Sequence, residues 1–393
     1  MGGLRIAIVG GGIGGLAAAG FLRRAGFAVT VYEQAAALTE IGAGLIVAPN
    51  AVRLLRRLGV LDRFRERAVA IDVGWEFRRW QDGRILSAKD LSGTGERTYT
   101  SHRADLLDAV RAAVDPAAIR LGMRCTGVDG NVLVFADGSR AEADVVVGAD
   151  GVHSVVRAAI AGDAPAAYSG MCAFRALVPA ALAPEFARRA AQTLWIGPGH
   201  HLVHYPISAG RVVNLVAIAP AGGYTTESWS ATASVEEFLA EFAGWDARLT
   251  ALIRAGGTPG RWALLDRAPL DRWSRGPLTL LGDAAHPMFP FVAQGAAQAL
   301  EDAAVLAGCL AAAPGAPHDA LRRYEALRVG RTTRLQRMSH DRARLNHLPD
   351  GPEQRERDAT FGSRDPLTAA AWIYDYDATT EAELPPVREK PGF

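Results

Sequence analysis

The chain has 393 residues, 49% of them hydrophobic and 22% charged, with a formal charge of +1. That is ordinary globular composition with enough apolar material for two domains with real cores, and the charge balance implies neither a polyanion partner nor an acidic tail. Cys125, Cys172 and Cys309 are too scattered for a disulfide framework or a zinc site, and the only lysines, Lys89 and Lys390, make Schiff-base chemistry a poor expectation.

Leu4 to Val9 reads as a strand, Gly10-Gly11-Gly12-Ile13-Gly14-Gly15 follows, and Leu16 to Arg24 reads as a helix. The glycines break the apolar opening, which argues for strand, turn and helix and against a signal peptide or a membrane span. Phe27 to Tyr32 is a second strand pattern ending at Glu33. Gly10, Gly12 and Gly15 have the spacing of a βαβ dinucleotide fingerprint. It needs a tight turn, room for pyrophosphate against the backbone, and close packing of helix on strand, with an acid to bind ribose hydroxyls. Gly12, Gly14, Gly15 and Glu33 are therefore candidate cofactor residues, although the motif does not choose between FAD and NAD.

Glu40 to Asn50 reads as a Gly-rich loop containing Gly42, and Ala51 to Leu58 as a helix whose Arg53 is a candidate phosphate or flavin contact. Val69 to Trp80 and Arg84 to Leu86 read as strands joined through Asp82-Gly83. Thr100 to Val114 is expected to be helical, with Ser101 as N-cap and Arg103 near its start, suited to anionic groups of a cofactor. Val132 to Phe135 and Ala143 to Val147 read as a hairpin that runs into Gly148-Ala149-Asp150-Gly151 and Ser154-x-x-Arg157, with Asp150 and Arg157 as candidates for a cofactor-facing cluster.

From Tyr168 the pattern becomes β-rich and loses its αβ alternation, which predicts a second, largely antiparallel sheet. Within His200-His201-Leu202-Val203-His204-Tyr205, His201 and Tyr205 share one strand face, while His200 and His204 share the other. Trp195 fits either a cavity lid or plain core packing. Later, the apolar run Leu278 to Leu281 ends at Gly282-Asp283, and Gly295 opens a small-residue helix. An acid and a helix N-terminus at the carboxyl edge of a sheet form a ligand site in open α/β folds. Asp319 to Leu345 reads as a long Arg-rich helix with a solvated charged face; nucleic acid is not expected, because acids balance the arginines and no aromatic ladder accompanies them. Pro349 to Asp358 reads as polar loop, and Trp372 to Tyr376 as an aromatic patch that docks.

One fingerprint combined with a distant acid-plus-helix site suits a long dinucleotide. FAD would place its ADP on Gly10 to Gly15 and Glu33, its ribityl and pyrophosphate near Asp283, and its ring near Pro287 to Gly295. The helix N-terminus after Gly295 would then favour negative charge on the reduced ring.

Gly10-x-Gly12-x-x-Gly15, Asp150-Gly151 and Gly282-Asp283-Ala284-Ala285-His286-Pro287, in this order, resemble the three signatures of the single-component (group A) FAD-dependent aromatic hydroxylases. The resemblance spans essentially the whole chain. It is strongest to salicylate hydroxylases, 3-hydroxybenzoate 6-hydroxylases and 6-hydroxynicotinate 3-monooxygenases, with Arg355-x-Arg357-Asp358 and Trp372 to Asp377 near the end of the chain adding to it. It implies an α/β fold of the p-hydroxybenzoate hydroxylase type: a Rossmann-like FAD-binding domain (1–167 and 266–345), a mostly antiparallel substrate domain (168–265, joined by strands from 69–86), and a C-terminal helical segment (346–393). It also implies non-covalent FAD, transient NADH or NADPH as reductant, and O2 as co-substrate. Hydroxylation of a phenolic acid would proceed through a flavin C4a-hydroperoxide, with decarboxylation where the attacked carbon carries a carboxylate. By the same resemblance His201 assists deprotonation of the substrate and Tyr205 orients it. Pro287, Phe289 and Pro290 wall the cavity, Gln294 holds a substrate oxygen, and Gly295 and Ala296 face the flavin. Hydroxynicotinate enzymes carry a further histidine where this chain has Leu45-Ile46-Val47-Ala48, which favours hydroxybenzoates over hydroxypyridines. A larger biosynthetic phenol remains open. The rival expectations are a flavin-dependent oxidase or halogenase, an NAD dehydrogenase, and a non-catalytic nucleotide binder. The expected setting is cytoplasmic, without a membrane or nucleic-acid partner, as a monomer or homodimer.

Overall fold

The computed structural model describes residues 3–38, 43–162, 164–223, 231–363 and 365–381, so the expectations for Gly42 and Lys390 lie outside the described residues. A six-stranded sheet has Arg5–Val9 near its centre, parallel to Ala28–Tyr32 on one side and to Val145–Gly148 on the other. Leu278–Leu280 continues it beyond Val145–Gly148, again in parallel. Val145, Val146 and Val147 are wholly buried, as a strand covered on both faces must be. Helices Ile13–Arg24 and Gly295–Ala312 pack against each other on this sheet, and their small residues allow the close approach.

The second sheet has seven strands, in the order Gly260–Asp266, Ala167–Pro179, Val212–Pro220, His200–Ile207, Ala191–Gly197, Val73–Arg79 and Ile85–Asp90. Every pairing is antiparallel except that of Ala191–Gly197 with Val73–Arg79. A small three-stranded sheet, Gly44–Val47, Tyr99–His102 and Val69–Ala70, bridges the two, with Thr100 Oγ1 donating to the Pro206 carbonyl.

Several local expectations change. Four residues of the expected Gly-rich loop form the strand Gly44–Val47. Tyr99–His102 is a strand, so Ser101 is buried in a sheet, and the helix Arg103–Arg111 is capped by His102, whose Nδ1 accepts from the Ala104 amide at 3.2 Å. Val132–Phe135 pairs with Arg140–Glu142 and Cys125–Asp129 in a separate sheet, and the chain enters the nucleotide sheet only at Val145. Residues 349–358 are not simply loop: Pro352–Ser363 is a helix. Its polar sequence lacks an apolar stripe, and its order comes from tertiary contacts such as Arg357 Nη1 donating to the Leu345 carbonyl at 2.7 Å. Nor is the charged face of Pro317–Asn346 all solvated, because Arg328 is fully buried.

Candidate active site

A cavity of about 920 Å3 opens where the two sheets, the loop 283–296 and the C-terminal helices meet. The nucleotide end is built by the turn after Arg5–Val9. A Cβ at Gly15 would lie 2.0 Å from the Gly10 carbonyl oxygen, so only glycine lets the helix seat on the strand. A Cβ at Gly12 would meet nothing within 4 Å among the described residues, and Gly12 and Gly14 line the cavity. At the end of the second strand, the Glu33 carboxylate accepts from the amides of Gly11 at 2.7 Å and Ala35 at 2.8 Å. It therefore holds the edge of the turn.

Asp283 stands exposed in the cavity on the turn Gly282–Ala284. Pro287, Pro290, Gln294, Gly295 and Ala296 line the same space. Their loop is pinned from behind, as Gln336 donates to the Pro287 carbonyl at 2.9 Å and Ser339 to that of Phe289 at 2.9 Å. The orientation of Gln294 follows from a chain of donors. The Glu301 carboxylate can only accept, so the nitrogens it meets are the amide nitrogens of Asn50 (2.7 Å) and Gln298 (3.2 Å). Those same groups donate to Gln294 Oε1 at 3.0 and 3.1 Å. Gln294 Nε2 is left buried without a hydrogen-bond partner among the described residues, in a side chain that lines the cavity.

The opposite wall is the seven-stranded sheet. His201, Val203 and Tyr205 line the cavity from one strand face. His204 points away and accepts from Trp195 Nε1 at 3.2 Å, while His200 pairs with Glu241 at 3.0 Å. Trp195 is therefore core. Burial holds the His201 imidazolium well below its usual range, and the neighbouring His347 and His200 act in the same direction, so its ring is neutral near pH 7. Burial raises the Tyr205 phenol, against the opposing charge of Arg175, and leaves Tyr205 a neutral donor. Arg175 lines the cavity with its guanidinium 4.3 Å from the Trp262 ring centroid. Burial lowers it to about 10, against an opposing effect from Tyr205 and with Arg103 adding to the lowering; it still carries its charge at neutral pH. Arg103 also lines the cavity.

Like Glu33, the expected cofactor contacts Arg53 and Asp150 do not line the cavity. Arg53 donates to the carbonyls of Tyr374 and Tyr376, clamping the segment that follows helix Pro366–Tyr374. Asp150 turns inward to accept from Ser154 Oγ and from the Val155 amide at 2.8 Å; its neighbours Ala149, Gly151 and Val152 line the cavity instead. Arg157 ties the carbonyls of Val152 and Ala284 together from behind. These residues shape the groove through the backbone.

Residues 4–339 match the family described as FAD binding domain. A 3-amino-4-hydroxybenzoate 2-monooxygenase of Streptomyces platensis is 44% identical over 386 residues, covering 95% of this chain and 96% of its own. The chain belongs to the single-component FAD-dependent aromatic hydroxylases. A 6-hydroxynicotinate 3-monooxygenase of Pseudomonas fluorescens is 39% identical over 365 residues, covering 88% and 93% of the two chains. A salicylate hydroxylase solved as a substrate complex superposes with a TM-score of 0.82 at 28% identity, covering 99% of each chain.

The hydroxylase's own residues fit FAD. There is, among the described residues, an open cradle at Gly12, an exposed carboxylate at Asp283, a donor without a partner at Gln294, and the N-terminal turn of helix Gly295–Ala312 beside them. Among the described residues no cluster could hold a metal ion, and no helix is long and apolar enough to cross a membrane.

Sequence reasoning missed two residues at the site. Arg175 had a readable signal, being a lone charge inside the apolar strand run Cys172 to Val178. His347 had none: it follows the long helix in a polar stretch, and only the fold brings its Nε2 to 2.7 Å from His201 Nδ1. The acids Glu301 and Asp302 were also unmarked. They bury Arg328 between them, with Nη1–Oε2 and Nε–Oδ1 distances of 2.7 Å, and Asp302 also takes His286 at 2.6 Å and the Gly282 amide at 2.9 Å.

Proposed function

We propose that this hydroxylase inserts one oxygen atom of O2 into the ring of a hydroxybenzoate-type acid, with NADH or NADPH as reductant. The observation that carries this reading is the convergence of His201, Tyr205 and Arg175 on one cavity wall, facing the loop that carries Gln294. A neutral imidazole can take a phenolic proton, which raises electron density at the ring carbons ortho and para to the oxygen. A buried guanidinium is suited to a carboxylate. Bound FAD, once reduced, activates O2 and supplies the electrophilic oxygen. The chain itself does the rest: His201 holds the proton, Tyr205 and Gln294 Nε2 donate to substrate oxygens, and Pro287, Phe289 and Pro290 help keep water out.

The relatives acting on 3-amino-4-hydroxybenzoate (44% identical) and on 3-hydroxybenzoate (35%, Aquipseudomonas alcaligenes) support a carboxylated phenol. Leu45 and Ile46 give that part of the cavity an apolar wall, which favours a benzene ring over a hydroxypyridine.

The test is a panel of hydroxybenzoates, aminohydroxybenzoates and hydroxypyridines, scored by substrate-stimulated NAD(P)H oxidation and O2 uptake. Mass spectrometry separates hydroxylation from decarboxylation and peroxide release. His201→Ala should lower hydroxylation where the free phenol is protonated, by roughly 10²–10⁴, and recover partly at high pH. Unchanged rate and coupling would remove His201 as base, and a panel without any stimulated turnover would remove the reading as a whole.

A further inference from the structure

His201 Nδ1 lies 2.7 Å from His347 Nε2, with the ring centroids 4.9 Å apart. His347 is locked by its backbone: its carbonyl accepts from the Gly199 amide at 3.0 Å, in the turn that begins the His201 strand, and its amide donates to the Arg344 carbonyl at 3.2 Å. The Phe291 ring packs edge-on against both imidazoles, at 5.2 and 6.2 Å. His201 lines the cavity and is buried; His347 does not line the cavity and is partly exposed. The pair therefore runs from the buried cavity wall to a residue that is partly exposed.

We propose that His347 is the positioning residue of the base: it holds His201 in the tautomer that presents a bare Nε2 to the cavity, and it passes the substrate's proton out to solvent. This rests on the reading of His201 as base. Only one hydrogen fits between the two nitrogens, so one ring donates and the other accepts. If His347 donated, His201 would carry its proton on Nε2 and offer the substrate no lone pair. If His201 donates, Nε2 is free. That arrangement also survives the reaction, because both nitrogens of a protonated His201 are donors and His347 can still accept.

The proton count closes. The substrate O–H breaks and a proton is gained at His201 Nε2; the Nδ1 proton moves to His347 Nε2; and the proton on His347 Nδ1 leaves to water. Phenolate stays in the cavity and both rings end neutral. The reverse passage reprotonates product oxygen and restores the starting tautomers. The pair is built to hold no charge at rest, since burial and the neighbouring His200 keep His347 at about 4. Two neighbouring side chains are engaged elsewhere: His200 with Glu241 at 3.0 Å, and Arg344 with Glu353.

The test uses the FAD-loaded, oxidised enzyme mixed rapidly with 3-amino-4-hydroxybenzoate in weakly buffered solution containing a pH-indicator dye, near pH 7 and so below the ordinary phenol pKa of about 10. Wild type should release about one proton per bound ligand in a fast phase. In His347→Gln, the side-chain oxygen can accept from His201 Nδ1 but cannot relay, so ligand affinity should hold while proton release slows by about tenfold or more. Added imidazole should restore it. His347→Phe, which loses the acceptor as well, should lose both release and phenolate formation. Wild-type release in His347→Gln overturns the relay. His201→Gln separates the two claims, for if it too releases the proton normally, the base reading itself has failed. Nitrogen NMR of histidine-labelled wild-type protein is independent of any variant, and a His201 ring protonated on Nε2 in the free enzyme overturns the tautomer assignment.

Discussion

Two glycines three residues apart should fail in different ways when given a single methyl group. At Gly15 the new Cβ would sit 2.0 Å from the Gly10 carbonyl oxygen. A comfortable contact is roughly 3.5 Å, so helix and strand must part by more than an ångström. Overpacking costs about 1–3 kcal/mol, and backbone offers no rotamer that could yield, so Gly15→Ala belongs at the upper end, about 3 kcal/mol. At Gly12 the Cβ meets nothing within 4 Å among the described residues, and φ is −72°, which alanine accepts. The only folding cost there is a poorer N-cap, within about 1 kcal/mol. With FAD on this turn, that methyl would fill the space through which the pyrophosphate approaches the backbone. Losing one or two charge-assisted hydrogen bonds costs about 3 kcal/mol, or roughly a hundredfold in Kd. Urea unfolding of the apoproteins and titration with FAD by flavin fluorescence read the two effects separately. Gly12→Ala should fold like wild type and bind FAD weakly, whereas Gly15→Ala should be destabilised before any FAD is added. A Gly12→Ala protein that binds FAD at wild-type affinity would refute the placement of the cofactor, and a Gly15→Ala apoprotein of unchanged stability would refute the packing argument.

Arg328→Met should cost about 3 kcal/mol in urea unfolding, at the low end for a broken buried ion pair, because two fully buried carboxylates lose a shared guanidinium while Glu301 keeps Arg331 and Asp302 keeps His286; a loss below about 1 kcal/mol would mean that those remaining donors suffice. Arg175→Gln should raise KM for a hydroxybenzoate by about tenfold to a hundredfold and leave that of the corresponding phenol nearly unchanged, and equal effects on both would remove Arg175 as the carboxylate partner. Acid should destabilise the fold through its buried histidines. His204 is held at about 3 and His347 at about 4 by burial, against roughly 6.5 in the unfolded chain, so the unfolded state binds more protons in that window. Stability is complete above pH 6.5 and falls as pH drops towards the folded values, by on the order of 2 kcal/mol per ring by pH 5. The urea midpoint measured at pH 7 and pH 5 checks this, and His204→Gln should flatten the difference.

Much of the cofactor side was legible because its constraints are local. A strand, five glycines in six positions and an acid at the next strand end form a spacing that chain geometry alone makes meaningful, and Gly282-Asp283 before a small-residue helix is another. The alternation that puts His201 and Tyr205 on one face is likewise a property of any strand. What the fold alone decided is which polar groups meet at long range. Arg53 and Asp150 occupy the expected elements but turn to backbone partners, since an arginine's reach and a carboxylate's choice of amide depend on what packs beside them. The charged helix Pro317–Asn346 looked solvated because sequence shows only one side of an ion pair; Glu301 and Asp302, on another helix, bury Arg328. His347 is the clearest case. Nothing in its neighbours along the chain marks it, and its contact with His201 spans 146 positions, a separation that only tertiary packing can close.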